Sequence, residues 1–179
     1  MKSKSNIRWV VKVVLISVFA SMAFTLASTE VMGRAGNIIA FSVLAAFIII
    51  GLIFDVVGVA VTVAAEAPFH SMATRRERGA QEAIRLIKSA DRVASFCNDV
   101  IGDVTGIVSG AMAGMIAARL VEGFVAGDIW LPLLISGGVT GLTVGGKAIG
   151  KNFAITNSTK IVLKVGKCIN FLRIKPKSK

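Results

Sequence analysis

Apolar residues along this chain do not recur every second or every third and fourth position. They gather into four long runs, at 13–28, 38–65, 93–118 and 129–149, separated by short polar or basic segments. Each run approaches or exceeds the roughly 20 residues that carry an α-helix across a bilayer. The pattern predicts four transmembrane helices. The second run is longer than the minimum span, which implies tilt or protrusion, and Pro68 predicts a break after Glu66.

Two segments have a different texture. Between the second and third runs, residues 70–92 carry Arg75, Arg76, Arg78, Arg85, Lys88 and Arg92 with Glu77, Glu82 and Asp91. Ala80, Ala83, Ile84 and Ile87 recur among them at helical spacing. This predicts an amphipathic juxtamembrane helix on the cytoplasmic leaflet, with Glu77, Gln81 and Arg85 on one face and Arg78 beside Glu82. Residues 151–179 form a second basic amphipathic stretch, with Lys160, Lys164 and Lys167 along one face. Polar turns are expected at 30–37 and 119–128. The expected fold is an all-α integral membrane protein of four transmembrane helices, with these two amphipathic segments attached.

Composition agrees. Hydrophobic residues make up 54% of 179, charged residues only 17%, and mean hydropathy is +0.74. These values exclude a disordered, collagenous or coiled-coil chain. The net charge of +11 raises nucleic acid as a partner, but aromatics are 7%, tyrosine is absent and no nucleic-acid-binding motif occurs. The positive charge instead follows the rule that cytoplasmic segments collect Lys and Arg. The leader (Lys2, Lys4, Arg8, Lys12), the 75–92 segment and the tail hold nearly all of it. Both termini are therefore expected inside, at the plasma membrane, with anionic headgroups as the lipid partner. The first run is expected to be kept as a helix rather than cleaved as a signal peptide. Cys97 and Cys168 form no metal or disulfide pattern and read as two free thiols.

Two glycine series run at four-residue spacing: Gly102, Gly106, Gly110 and Gly114, then Gly137, Gly141 and Gly145. Small residues at this spacing let helix backbones approach closely in lipid, so both series predict tight helix–helix contact or a dimer face.

The acidic positions carry the candidate chemistry. Asp55 and Glu66 lie three helical turns apart and share a face with Thr62; Asp99 and Asp103 share another, beside Asn98 and Ser95. A carboxylate inside a span needs a partner, a cavity or an ion. One reading is an ion-pair or hydrogen-bond cluster with Lys147 or Arg92. The other is a cation site on Glu66, Asn98, Asp99 and Asp103, whose hard oxygen donors suit Mg²⁺. His70, the only histidine, reads as interfacial. No nucleophile–base arrangement, phosphate loop or zinc motif is present, and no enzyme activity is expected.

The order of several short motifs resembles the transmembrane domain of the CNNM/CorC divalent-cation transporters. Val61-Thr-Val-Ala-Ala-Glu66 is similar to the Ser-x-Ser-Glu ending of that family's first helix. Gly79-Ala80-Gln81-Glu82-Ala83-Ile84-Arg85-Leu86 resembles its basic Gly-Ala-x-x-Ala-x-x-Leu helix. Ala90-Asp91-Arg92 and Val93-Ala94-Ser95 follow in the same order. Gly102-Asp103 stands near its Gly-Asn-x-x-x-Asn pattern, and the segment from Gly146 to Ala154 resembles Gly-Glu-x-x-Pro-Lys-x-x-Ala. The resemblance implies a dimer that moves Mg²⁺, with polar groups of several helices near the ion. Lys147 stands for the family's Glu and Gly150 for its Pro. The expected organisation is a leader at 1–12, a CNNM-like domain at 13–172 with an extra first helix, and a tail at 173–179, without the CBS-pair domain. A non-transporting scaffold, with Lys147 neutralising a degenerate ion site, is the alternative.

Overall fold

The structure, a computed structural model, describes residues 7–34, 36–123 and 130–174. Among them every element is helical: α1 (Ile7–Arg34), α2 (Asn37–Val63), α3 (Ala67–Thr74), α4 (Ala80–Lys88), α5 (Ala90–Ser95), a π-helical turn (Phe96–Gly102), α6 (Asp103–Gly123), α7 (Trp130–Thr156) and α8 (Ser158–Ile174). Four helical stretches are long and apolar enough to cross a membrane: Trp9–Glu30, Asn37–Val63, Ala90–Val121 and Trp130–Thr156. They correspond to the four apolar runs. Lys2, Lys4, the 124–129 connection and the 175–179 tail lie outside the described residues.

Several boundaries differ from expectation. The polar turn at 30–37 shrinks, because α1 continues through Glu30 to Arg34 and the next helix starts by Asn37, where Ala40 N–H already donates to Gly36 O at 3.1 Å. The connection expected from Arg119 begins later, since α6 continues to Gly123. Likewise α7 runs past the expected end at Ile149 to Thr156, carrying its glycines without a break. The helix expected over 70–92 is three pieces. α3 opens with Pro68 in its first turn, where a missing N–H costs no helical bond. α4 starts after Gly79, whose φ of +83° is a left-handed conformation that favours glycine. α5 is already the first part of the third span.

The chain divides into two compact units. The first comprises 1–52 and 99–146. Its buried centre is Ala40 and Leu44 of α2 against Val104, Val108, Met112, Ala113 and Ile116 of α6. Phe24 of α1 and Ile135 and Val139 of α7 pack on this centre, and Phe24 meets Phe47 edge-on at 5.6 Å between ring centroids. A Cβ on Gly51 would lie 2.5 Å from Thr105 Oγ1, so α2 and α6 touch there through glycine and a hydroxyl. The buried Thr105 and Ser109 satisfy their hydroxyls on their own helix, donating to Ile101 O and Thr105 O, each at 2.7 Å.

The second unit comprises 53–98 and 147–179. Ala60, Val61 and Ala64, Phe69, Ala83, Ala154 and Val162 form its core, with Phe69 fully buried. α4 lies on α8 through a close backbone contact. Gly166 is buried there, and a Cβ on it would overlap Gly79 O. Around that contact Lys167 Nζ meets Glu77 Oε1 at 3.2 Å and Asn170 Nδ2 donates to Glu82 Oε2 at 3.4 Å. Glu82 also pairs with Arg85 at 3.1 Å. Glu77 therefore bonds to α8 and not along α4 to Arg85, because it lies in the turn before that helix begins.

Six of the seven glycines in the two series face open space. Cβ atoms built on Gly106, Gly110, Gly114, Gly137, Gly141 or Gly145 would meet nothing within 4 Å. Among the described residues these six glycines make no close helix contact, which is compatible with the dimer-face half of the expectation. The close contacts use the scattered glycines instead: Gly51, Gly58, Gly79, Gly146, Gly150 and Gly166.

Candidate cation site

The four candidate ligands fall in different surroundings. Glu66 follows the end of α2 in a bend, so the shared helical face with Asp55 and Thr62 is lost at 64–66. Its Oε1 accepts from His70 Nε2 at 2.9 Å and lies 3.7 Å from Lys88 Nζ. Glu66 thus ties α3 to the end of α4 through two basic groups. That arrangement belongs to an ion pair, not to an open ligand. His70 is exposed and bonds to Glu66 at the start of its own helix.

Asn98 is the feature that stands out in the second unit. It sits in the π-helical turn, a backbone form that recurs at functional positions. Its side chain lies against Gly58 of α2, where a Cβ would overlap Asn98 Oδ1. That oxygen is buried and has no hydrogen-bond partner among the described residues. Leaving a buried carbonyl without a partner costs about 1–3 kcal/mol. A donor or a positive group at this oxygen would offset that cost.

Asp99 and Asp103 belong to the first unit. Both are exposed on the chain, Asp99 in the middle of the π-helical turn and Asp103 as the first residue of α6. Their outward side continues along α6 through Ile107, Gly110 and Gly114. Asp55 on α2, Ser95 at the end of α5 and Lys147 on α7 are partly buried, and neither Asp55 nor Lys147 has an ion pair among the described residues. No group of three or more His, Cys, Asp or Glu side chains among the described residues is gathered tightly enough to hold a metal.

The sequence offered no sign of the π-helical turn or of the pairing of Asn98 with Gly58. A lone glycine in a Val-rich span looks like any other packing residue. Only the depth shared by an amide on one helix and a glycine on another could have suggested it. Cys97 is buried, Cys168 exposed, and both thiols are free.

No family model, curated protein or solved structure shows significant similarity to this chain.

Proposed function

We propose that this is a polytopic membrane protein that binds a divalent cation, Mg²⁺ first among them, and serves its transport or homeostasis in the manner of the CNNM/CorC transmembrane domain it resembles. The observation that carries the reading is Asn98: a hard amide oxygen, buried in an apolar stretch, left without a partner beside a glycine. Asp99 and Asp103, in the first unit, are the carboxylates that the sequence alone adds to this reading. They are exposed on one chain, and in a bilayer they need an ion or a second copy against them. A homodimer meets that need. In this arrangement both termini face the cytoplasm, and the basic residues of α4 and α8 lie at anionic headgroups of the plasma membrane.

One observation favours a second reading. Glu66, the residue matching the family's Ser-x-Ser-Glu motif, is already held by His70 and Lys88. Together with Lys147 at the position of the family's Glu, this suits an accessory subunit or scaffold that no longer moves ions.

The two readings separate in one titration. Purified protein in neutral detergent is heated over a range of MgCl₂ at constant ionic strength. Cation binding predicts a saturable rise in unfolding temperature for the wild type, lost in Asn98→Ala and weakened in Asp103→Asn. An unfolding temperature indifferent to Mg²⁺ in all three leaves the scaffold.

A further inference from the structure

Between α3 and α4 the chain turns through two left-handed residues, Arg76 at φ 56° and Gly79 at φ 83°. The turn walls a cavity of about 250 Å³ in the second unit, lined by Arg76, Arg78, Glu77, Gln81, Glu82 and, from α8, Asn170. Its volume is several times the roughly 30 Å³ that a water molecule occupies in the liquid, which leaves room for a tetrahedral oxyanion.

The charges of this cavity do not cancel. Glu77 is paired with Lys167 at 3.2 Å, and the buried Glu82 with Arg85 at 3.1 Å. Arg76 and Arg78 have no ion pair with any described residue. Two guanidinium groups therefore remain uncompensated at one small concavity, with the amides of Gln81 and Asn170 as further donors. A guanidinium presents a planar fork that matches phosphate oxygens two at a time, which an ammonium does not. The carboxylates, being engaged already, do not repel the anion as free ones would.

The geometry points to a phosphate-binding site in this cavity, its ligand a phosphate group carried by an anionic phospholipid or free in solution. The segment lies between the end of α2 at Val63 and the start of the third span at Ala90. Chain that leaves and re-enters a bilayer within so few residues stays at headgroup level, which favours the lipid as source. This inference rests on the membrane-spanning reading and not on cation binding.

The test uses the full chain in neutral detergent, with dioctanoyl phosphatidylglycerol and inorganic phosphate as separate probes of thermal stabilisation. Arg76→Asn combined with Arg78→Gln removes the unpaired positive charge of the cavity while keeping a residue that tolerates left-handed backbone. Arg75→Gln combined with Lys164→Gln removes the same charge outside the lining. The cavity pair is expected to weaken lipid binding about tenfold more than the control pair, because it removes paired phosphate contacts and not only surface potential. Should the cavity pair fail to fold, Arg78→Gln alone, compared with Arg75→Gln, reads the same difference. Saturation by inorganic phosphate, lost in the same variants, keeps the site and makes solution the source. Equal loss in both pairs means diffuse surface charge and overturns the site. Absence of stabilisation by either probe overturns it too. Resistance of the wild type to carbonate extraction from membranes then shows that the membrane reading has survived.

Discussion

The amide oxygen of Asn98 occupies the volume that a Cβ on Gly58 would fill. Each residue explains the other: the glycine admits the amide, and the amide brings a polar atom to a wall of α2 that is otherwise Val and Ala. Gly58→Ala is expected to destabilise the fold by about 1–3 kcal/mol, the usual range for overfilling a packed site. Asn98→Ala removes the obstructing atoms, so the double variant should recover much of that loss. A double-mutant cycle in denaturant unfolding should give a coupling of about 1 kcal/mol or more. Additive effects would mean that the two side chains do not meet.

Two carboxylates hold α4 to α8, and they differ in weight. Glu82 is 8% exposed, bonded to Arg85 and reached by Asn170, whereas the Glu77–Lys167 pair is roughly half exposed. Glu82→Ala is expected to cost about 1–3 kcal/mol, since it removes a buried acceptor and leaves space behind. Glu77→Gln should cost less than about 1 kcal/mol, as exposed pairs do. Thermal unfolding of the two variants checks the order, and a reversed order would place the stabilising contact at Lys167.

How far the sequence reveals this fold depends on which force shapes each part. Apolar runs long enough to cross a bilayer are set by hydration and backbone hydrogen bonding, so the four long helices were legible from composition along the chain. Glu66 shows the opposite case. Its helical register with Asp55 assumes an unbroken helix, and a break of a few residues at Ala64 and Ala65 turns it instead toward His70 and Lys88. The scattered glycines show why contact partners stay hidden. Gly51, Gly58 and Gly166 touch residues far along the chain, which no local pattern encodes. Six glycines of the regular series, which local pattern does encode, have no close contact among the described residues.

That open series yields a prediction of its own. Gly110 and Gly114 are exposed on the same side of α6 as Asp99 and Asp103. If a second copy covers this side, Gly110→Leu should leave unfolding of the monomer within about 0.5 kcal/mol of wild type, because no contact inside the chain is disturbed. It should, however, shift the particle from dimer to monomer in mild detergent, since close approach of small-residue ridges is what joins helices in lipid. Light scattering of the purified variant reads this. An unchanged dimer places the interface elsewhere, and a destabilised monomer would mean that the ridge packs within the chain.

The two natural cysteines report on orientation without any engineered label. Cys168 lies on α8 and is exposed, and the exposed Lys164 sits one turn back on the same side. That side must therefore meet water or headgroups. Cys97 is buried at 5% exposure, inside the third span. If the chain crosses four times with both ends inside, as proposed above from the excess of Lys and Arg on α4, α8 and the leader, Cys168 lies on the cytoplasmic side. A membrane-impermeant maleimide should then label inside-out vesicles and leave intact cells unlabelled. Cys168→Ser should abolish the labelling, while Cys97 should react only after denaturation. Labelling of Cys168 from outside would require an odd number of crossings or an inverted chain. Either result would move the basic face of α8 away from the anionic leaflet and remove the electrostatic reason for its composition.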